Sequence, residues 1–359
     1  MTPARSSSIC RLMPRRVACS FVAVALLAFP AGALADDGAA APVDATATVV
    51  AKARPRARSR PKARAPEATG RIGLRVAGAH SVNGRLLALA GRRLRIDGRI
   101  VPYVRGEHVS VRIWRGHKLL KRVTVRPKPT RTRRTATFRV RLTPERSGDL
   151  QVFAVHERSS RQRRLLKRTP LTVVTPTAGP GARGPFVALL QQRLAAVGYA
   201  TPRSGMLDAA TQRAVLAFRK VNGMARISSL DPLIIDRLMR GVGGFKVRFP
   251  QHGRHVEAHL GQQVLALIDR GKVQRAYITS SGTSVTPTVL GSFRFYMRTI
   301  GTNAKGMVDS NYFIRGYAIH GYVDVPTYPA SHGCLRVPIP DARSIYDWVR
   351  IGDRIDVYY

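Results

Sequence analysis

The sequence predicts a multidomain, largely β chain: a β-sandwich in the N-terminal half, a small three-helix domain, then a β-rich C-terminal domain. Three observations predict it. At 359 residues the chain exceeds one ordinary hydrophobic core and suits two or three. Apolar and polar residues alternate with period two at 109–113 and 136–142, and strand-like runs return beyond 256, as half-buried strands require. Between 187 and 218 the apolar spacing is helical instead.

Residues 1–35 read as a signal peptide. Arg5, Arg11, Arg15 and Arg16 precede an apolar run at 17–29, and Ala33-Leu34-Ala35 offers a small-residue cleavage site before Asp36. The run falls short of the roughly 20 residues a spanning helix needs, so cleavage after Ala35 is expected, with a membrane tether through an uncleaved signal as the alternative. Residues 36–70 form a basic Pro/Ala/Arg linker, as in Ala53-Arg54-Pro55-Arg56-Ala57-Arg58. Too few apolar residues are present for a core, and proline and like charges extend such a chain.

Cys10 and Cys19 lie in the signal segment, which leaves Cys334 alone in the mature chain and excludes an intrachain disulfide. A lone thiol in an oxidising compartment implies either an intermolecular bridge or reactive chemistry. The net charge is +41, and positions 52–168 hold 34 Lys/Arg against 6 Asp/Glu, a surplus of 28. An exported chain meets little nucleic acid. Anionic wall polymers or a membrane surface are the expected partners of the basic N-terminal half, beside the alternative of a merely solubilising surface.

Residues 71–175 carry the sandwich. Ala136, Phe138, Val140 and Leu142 share one face, as do Val109, Val111 and Ile113, and Asp97-Gly98, Arg115-Gly116 and Ser147-Gly148 read as turns. The stretch 148–156 resembles a late strand of an immunoglobulin-like domain, which implies a spacer or binding module. His80, His108, His117 and His156 read as polar surface residues. A Thr-Pro break at 175–180 follows.

Over 181–242, Val187, Leu190, Leu194 and Val197 share a helix face that Gly198 closes, and a second helix fits 209–221 behind an Asp208 N-cap. Gly184, Leu190-Gln191, Gly198-Tyr199, Gly205, Asp208, Thr211 and Phe218 resemble the three-helix peptidoglycan-binding domain of wall hydrolases. That resemblance implies attachment to glycan or stem peptide.

Residues 245–359 open as a β-meander with a turn at Asp269-Arg270-Gly271-Lys272, and Pro340-Asp341 starts a helix over 341–349. His252, His255 and His259 fall on a predicted strand and loop, so no metal is expected; no cofactor is expected either. The chemistry sits in Ile319-His320-Gly321 and, ten positions after Gly321, Ser331-His332-Gly333-Cys334-Leu335-Arg336. A thiol needs a base or positive potential to become a nucleophile, and a glycine turn can aim amides at an oxyanion.

This spacing resembles the signature of the L,D-transpeptidase family, and Thr286-Pro287-Thr288-Val289-Leu290-Gly291-Ser292-Phe293 resembles the family's upstream loop, with Val289-Leu290 as a departure. The resemblance implies Cys334 as nucleophile, His320 as proton acceptor and donor, and the Gly321 carbonyl as its orienting group. It implies an oxyanion hole from the backbone of His332, Gly333 and Cys334. His332 stands either as a second base or as a shaping neighbour; Arg336 either binds a substrate carboxylate or pairs with Asp341. Tyr322 and Ser331 are further candidate substrate contacts, and Tyr317 and Tyr328 flank them. The implied activity is a cysteine acyltransferase that cross-links peptidoglycan stem peptides in the wall or periplasmic space. An L,D-carboxypeptidase on the same stems and a non-catalytic wall-binding protein are the alternatives. A papain-like peptidase is disfavoured because His320 precedes the cysteine.

Overall fold

The computed structural model describes residues 67–359. The signal peptide expected over 1–35 and nearly all of the linker expected over 36–70 lie outside the described residues. The linker's last residues are tied to the body. Glu67 accepts the Arg158 guanidinium, and Ala68 exchanges main-chain hydrogen bonds with Arg161 and Arg163.

Ten strands follow: β1 Arg71–Ala77, β2 His80–Val82, β3 Arg85–Leu89, β4 Leu94–Val101, β5 Val109–Arg115, β6 Lys118–Val125, β7 Lys128–Pro129, β8 Ala136–Leu142, β9 Gly148–His156 and β10 Leu165–Val174. They form two sheets, ordered β1-β4-β8-β7 and β2-β3-β10-β9-β5-β6. Period two decides what each buries. In β8, Ala136, Phe138, Val140 and Leu142 are buried while Thr137, Arg139 and Arg141 are exposed, and the inner residues of both sheets share one core. Each such large apolar side chain contributes about 1.5–3 kcal/mol when fully buried. His156, expected at the surface, is buried, its Nε2 3.1 Å from a Glu107 carboxylate oxygen. Alternation along β9 sets it on the inner face with Leu150, Val152 and Ala154; its partner, 49 positions away, is what the sequence could not show.

The helices are α1 Pro185–Ala196, α2 Ala209–Val221 and α3 Pro232–Arg240. Asp208 accepts from the Thr211 amide and Asp231 from the Ile234 amide, capping α2 and α3. Gly241, at φ +72°, ends α3 in the left-handed conformation. Leu190, Leu194, Val215, Phe218 and Leu238 form a core that continues into Val264, Ala266 and Ile278 of the next unit. The helices therefore cover a sheet face. The run 264–268, apolar at every position and buried throughout, is the sequence mark of a strand buried on both faces.

After a 3-10 turn at Pro250–His252 come β11 His255–His259, β12 Val264–Asp269, β13 Lys272–Ile278, β14 Gly291–Arg294, β15 Met297–Thr302, β16 Val308–Ile314, β17 Tyr317–Tyr322, β18 Leu335–Pro338, α4 Ile339–Trp348 and β19 Arg354–Tyr358. The sheets run β13-β12-β11-β19-β14 and β15-β16-β17-β18. Arg270 and Gly271, at φ +50° and +70°, make the expected turn between β12 and β13. Val256, Leu265, Ile319, Leu335, Val337, Ile345 and Ile355 fill the core of this unit.

Candidate active site

Strands β17 and β18 pair in parallel, with Ile319 opposite Leu335 and His320 opposite Arg336. Ile319, Leu335 and Val337 enter the core, so alternation places His320 and Arg336 on the other face, together with Ala318 and Cys334 one step back. His320 on β17 and Cys334, in the bend immediately before β18, thus stand diagonally across the start of this pairing. The chain leaves after β17, loops through 323–334, and returns alongside it.

His320 is buried, and its Nδ1 lies 2.9 Å from the Gly321 carbonyl oxygen. A carbonyl only accepts, so Nδ1 carries the proton and Nε2 keeps its lone pair. Burial lowers the imidazole's pKa, the Gly321 bond opposes this, and the Arg336 charge adds to the lowering. The half-buried Cys334 thiol has its pKa raised by burial, against the opposing Ala318 backbone hydrogen bond and the charges of Arg336 and Lys305. Both shifts favour the neutral thiol and the neutral imidazole. Its Sγ lies 3.6 Å from the Gly316 carbonyl.

The turn carrying Cys334 is held from inside. Ser331, expected to touch substrate, is buried, and its hydroxyl donates to the Cys334 carbonyl at 2.6 Å and accepts the Gly333 amide at 3.1 Å. The Gly333 amide, expected in the oxyanion hole with those of His332 and Cys334, is therefore engaged within the turn. Gly333 sits at φ +111°, and a Cβ there would lie 2.3 Å from Cε1 of Tyr317. No other residue fits both the left-handed backbone and the packing against that ring. The Ser281 carbonyl accepts the amides of Ala330 and Ser331, and Ser280 exchanges two bonds with Arg336. Gln263 supports Ser281 in turn through its side-chain amide. Sequence reasoning passed over Gln263, Ser280 and Ser281; a polar cluster at the end of an apolar strand was the only signal.

Tyr322 meets the His320 ring edge-on, centroids 5.7 Å apart, and the Arg336 guanidinium lies over the Tyr322 ring at 4.2 Å. Arg336 approaches Asp324 at 3.8 Å. It does not pair with Asp341, whose two oxygens are taken by Arg213 of α2, each at 2.8 Å. His332 is exposed on the turn, and Tyr328 is exposed in the loop before it. His252 and His255 have acidic company: His252 bonds Asp356 at 2.8 Å and His255 bonds Glu257 at 3.1 Å. Among the described residues no group of three or more His, Cys, Asp and Glu is placed to hold a metal ion.

The L,D-transpeptidase catalytic domain family matches residues 253–357, and a peptidoglycan binding domain family matches residues 183–226. The crystal structure of an L,D-transpeptidase from Xylanimonas cellulosilytica is 34% identical over 51% of this chain and 100% of that one, with a TM-score of 0.46. The chain belongs to the L,D-transpeptidase family. An L,D-transpeptidase from Stackebrandtia nassauensis is 21% identical, over 52% of this chain and 96% of its own, at a TM-score of 0.33. One from Mycobacterium tuberculosis is 19% identical, over 29% and 57%, at 0.28. No curated protein matches. The L,D-transpeptidase domain implies a peptidoglycan-modifying enzyme, and with its peptidoglycan-binding partner it points to peptidoglycan as substrate and to the cell wall or periplasm as its place of action.

Proposed function

We propose that this L,D-transpeptidase cross-links stem peptides through a thioester on Cys334. The observation that supports the proposal is that Cys334 directly precedes β18, the strand paired with the β17 strand that carries His320, whose Nδ1 is committed to Gly321. Nε2 of His320 takes the thiol proton as Sγ attacks the carbonyl carbon of the amide that follows the L-centre of a donor stem. A tetrahedral oxyanion forms, and the His332 and Cys334 amides are the turn's candidate donors toward it, since the Gly333 amide is engaged with Ser331. The imidazolium then returns its proton to the leaving amine, the carbon–nitrogen bond breaks, and the terminal D-residue departs. An acceptor amine from a neighbouring stem attacks the thioester, His320 takes the amine's proton, and the thiol re-forms as the cross-link closes.

Arg336 stands over Tyr322 beside this pair, where its planar guanidinium suits a stem carboxylate. The signal segment and the surplus of cations in the N-terminal half support export, with attraction to anionic wall polymers or a membrane surface. If water resolves the thioester, the product is a trimmed stem, an L,D-carboxypeptidase outcome. Muropeptide analysis after incubation with purified tetrapeptide stems tests the proposal. Cross-linked dimers are expected from the wild type and none from Cys334→Ala, and intact-mass measurement with a carbapenem should give an adduct on the wild type alone. Unchanged dimer yield from Cys334→Ala would defeat it.

A further inference from the structure

One cavity lies far from Cys334 in sequence. It is a trough of about 940 Å³ on the outer face of the β1-β4-β8-β7 sheet. Register defines its walls. Arg75, Asp97 and Arg139 stand opposite one another in β1, β4 and β8, and two residues along the strands Gly73, Arg99, Thr137 and Lys128 form the next row. Residues two apart on a strand are about 7 Å apart and adjacent strands about 4.8 Å. The trough is therefore roughly 7 Å wide and crosses four strands, about 14 Å. Its floor is main chain, at Leu74, Gly98 and Phe138.

The charge is one-sided. Arg75, Arg99, Arg126, Lys128 and Arg139 line the trough against one carboxylate, Asp97, which is shared between Arg139 and Arg95. Just beyond, Arg95 stands directly opposite Arg141, an arrangement that like-charge repulsion disfavours. The inner face needs alternation, but solvent positions could carry any polar residue. Their bias toward arginine keeps a permanently charged, forked donor at each.

The geometry points to this trough as a binding site for a linear phosphodiester polyanion, laid across the strands with its phosphates between the two rows. Guanidinium groups on both walls match phosphate oxygens by paired hydrogen bonds. The surface is concave, and none of the exposed large apolar side chains lies on β1, β4, β7 or β8. A bilayer would demand the reverse, a flat or convex face with apolar residues to insert. The inference rests on the reading of the basic half as a contact surface, not on the chemistry at Cys334.

The test uses the whole chain and poly(glycerol phosphate) as probe. Two triple variants remove the same charge: Arg75→Gln with Arg99→Gln and Arg126→Gln in the trough, and Lys118→Gln with Arg122→Gln and Lys167→Gln, all exposed, on the other sheet. At 0.15 M salt the trough variant should bind at least about tenfold more weakly and with a shallower salt dependence, the control less than about threefold more weakly. Equal weakening by both variants would overturn the site, as would tighter binding to phosphatidylglycerol vesicles than to the polymer. No binding by the wild type would sink the reading of the basic half as well. Carbapenem acylation of Cys334 should be the same in all three proteins, so failure here is distinct from failure of the catalytic proposal. If the trough triple does not fold, Arg126→Gln alone, outside any strand, carries the comparison against Arg122→Gln.

Discussion

The Ser331 hydroxyl donates to the carbonyl of Cys334 at 2.6 Å, so the residue opening the signature turn closes it again at the nucleophile. The same oxygen accepts the Gly333 amide. Replacing it strands a buried carbonyl and a buried amide, a loss of about 1–3 kcal/mol. Ser331→Ala should lower the melting temperature and slow both dimer formation and carbapenem acylation by at least about tenfold, since a loosened turn misplaces the thiol. A scanning calorimetry trace and adduct kinetics check this. Ser331→Thr, which keeps the hydroxyl, should recover part of the rate.

Gly333→Ala separates two costs. The first is backbone strain at φ +111°, and the second is the approach of a Cβ to 2.3 Å from the Tyr317 ring. A non-glycine residue held in such a region costs about 1–3 kcal/mol, and the clash adds to it. The single variant should form no carbapenem adduct within the time the wild type takes to saturate. Adding Tyr317→Ala removes the clash but not the strain, so the double variant should regain stability in a thermal melt without regaining acylation.

The acid–base pair sets the pH response. The His320 pKa lies below its ordinary 6.5, chiefly through burial, so the base stays neutral to lower pH than a free imidazole would. The rate of acylation should therefore fall toward acid with a midpoint below 6.5. The Cys334 pKa is raised above its ordinary 9.0 by burial, so alkylation by iodoacetamide should rise through a midpoint above that value. Arg336→Gln removes a positive charge that lowers both groups. The alkylation midpoint should then move higher and the acid midpoint should move toward 6.5.

The Gly333 turn and the Asp208 cap could be read from the sequence because each acts within a few residues of where it is written. Interactions across packed units could not be read. Asp341 seemed free for Arg336, five positions away, yet it belongs to Arg213, 128 positions earlier. Asp356 meets His252 only because β19 lies beside β11 in parallel, whereas Glu257 reaches His255 from two positions along the same strand. In the helical unit, the first two helices and the Asp208 cap were legible from spacing. That its core continues into a sheet was written only in the unbroken apolar run of β12.

Lys220 follows from that shared core. Its ammonium is buried beneath α2, with Nζ 3.2 Å from the Gln263 carbonyl and 3.3 Å from that of Thr279. Two acceptors match the two donors of a neutral amine, and burial, aided by Arg226, brings the pKa down to about 7 from 10.5. Between about 7 and 10.5 the unfolded chain binds more protons than the folded one, so this group makes stability rise with pH across that window. His255, with its pKa raised by Glu257 and Gly253 despite burial, acts with the opposite sign: its contribution is present at low pH and lost as pH rises through its folded value. Comparing urea midpoints of wild type and Lys220→Met cancels the His255 contribution. The difference in stability should narrow or reverse toward pH 7 and widen in the wild type's favour toward pH 10. Because Gln263 also supports Ser281, and Ser281 the Ser331 turn, Lys220→Met should slow carbapenem acylation several-fold at a pH where both proteins are fully folded. A pH-independent difference in stability would refute the titration assigned to Lys220, and an unchanged acylation rate would refute its connection to the turn.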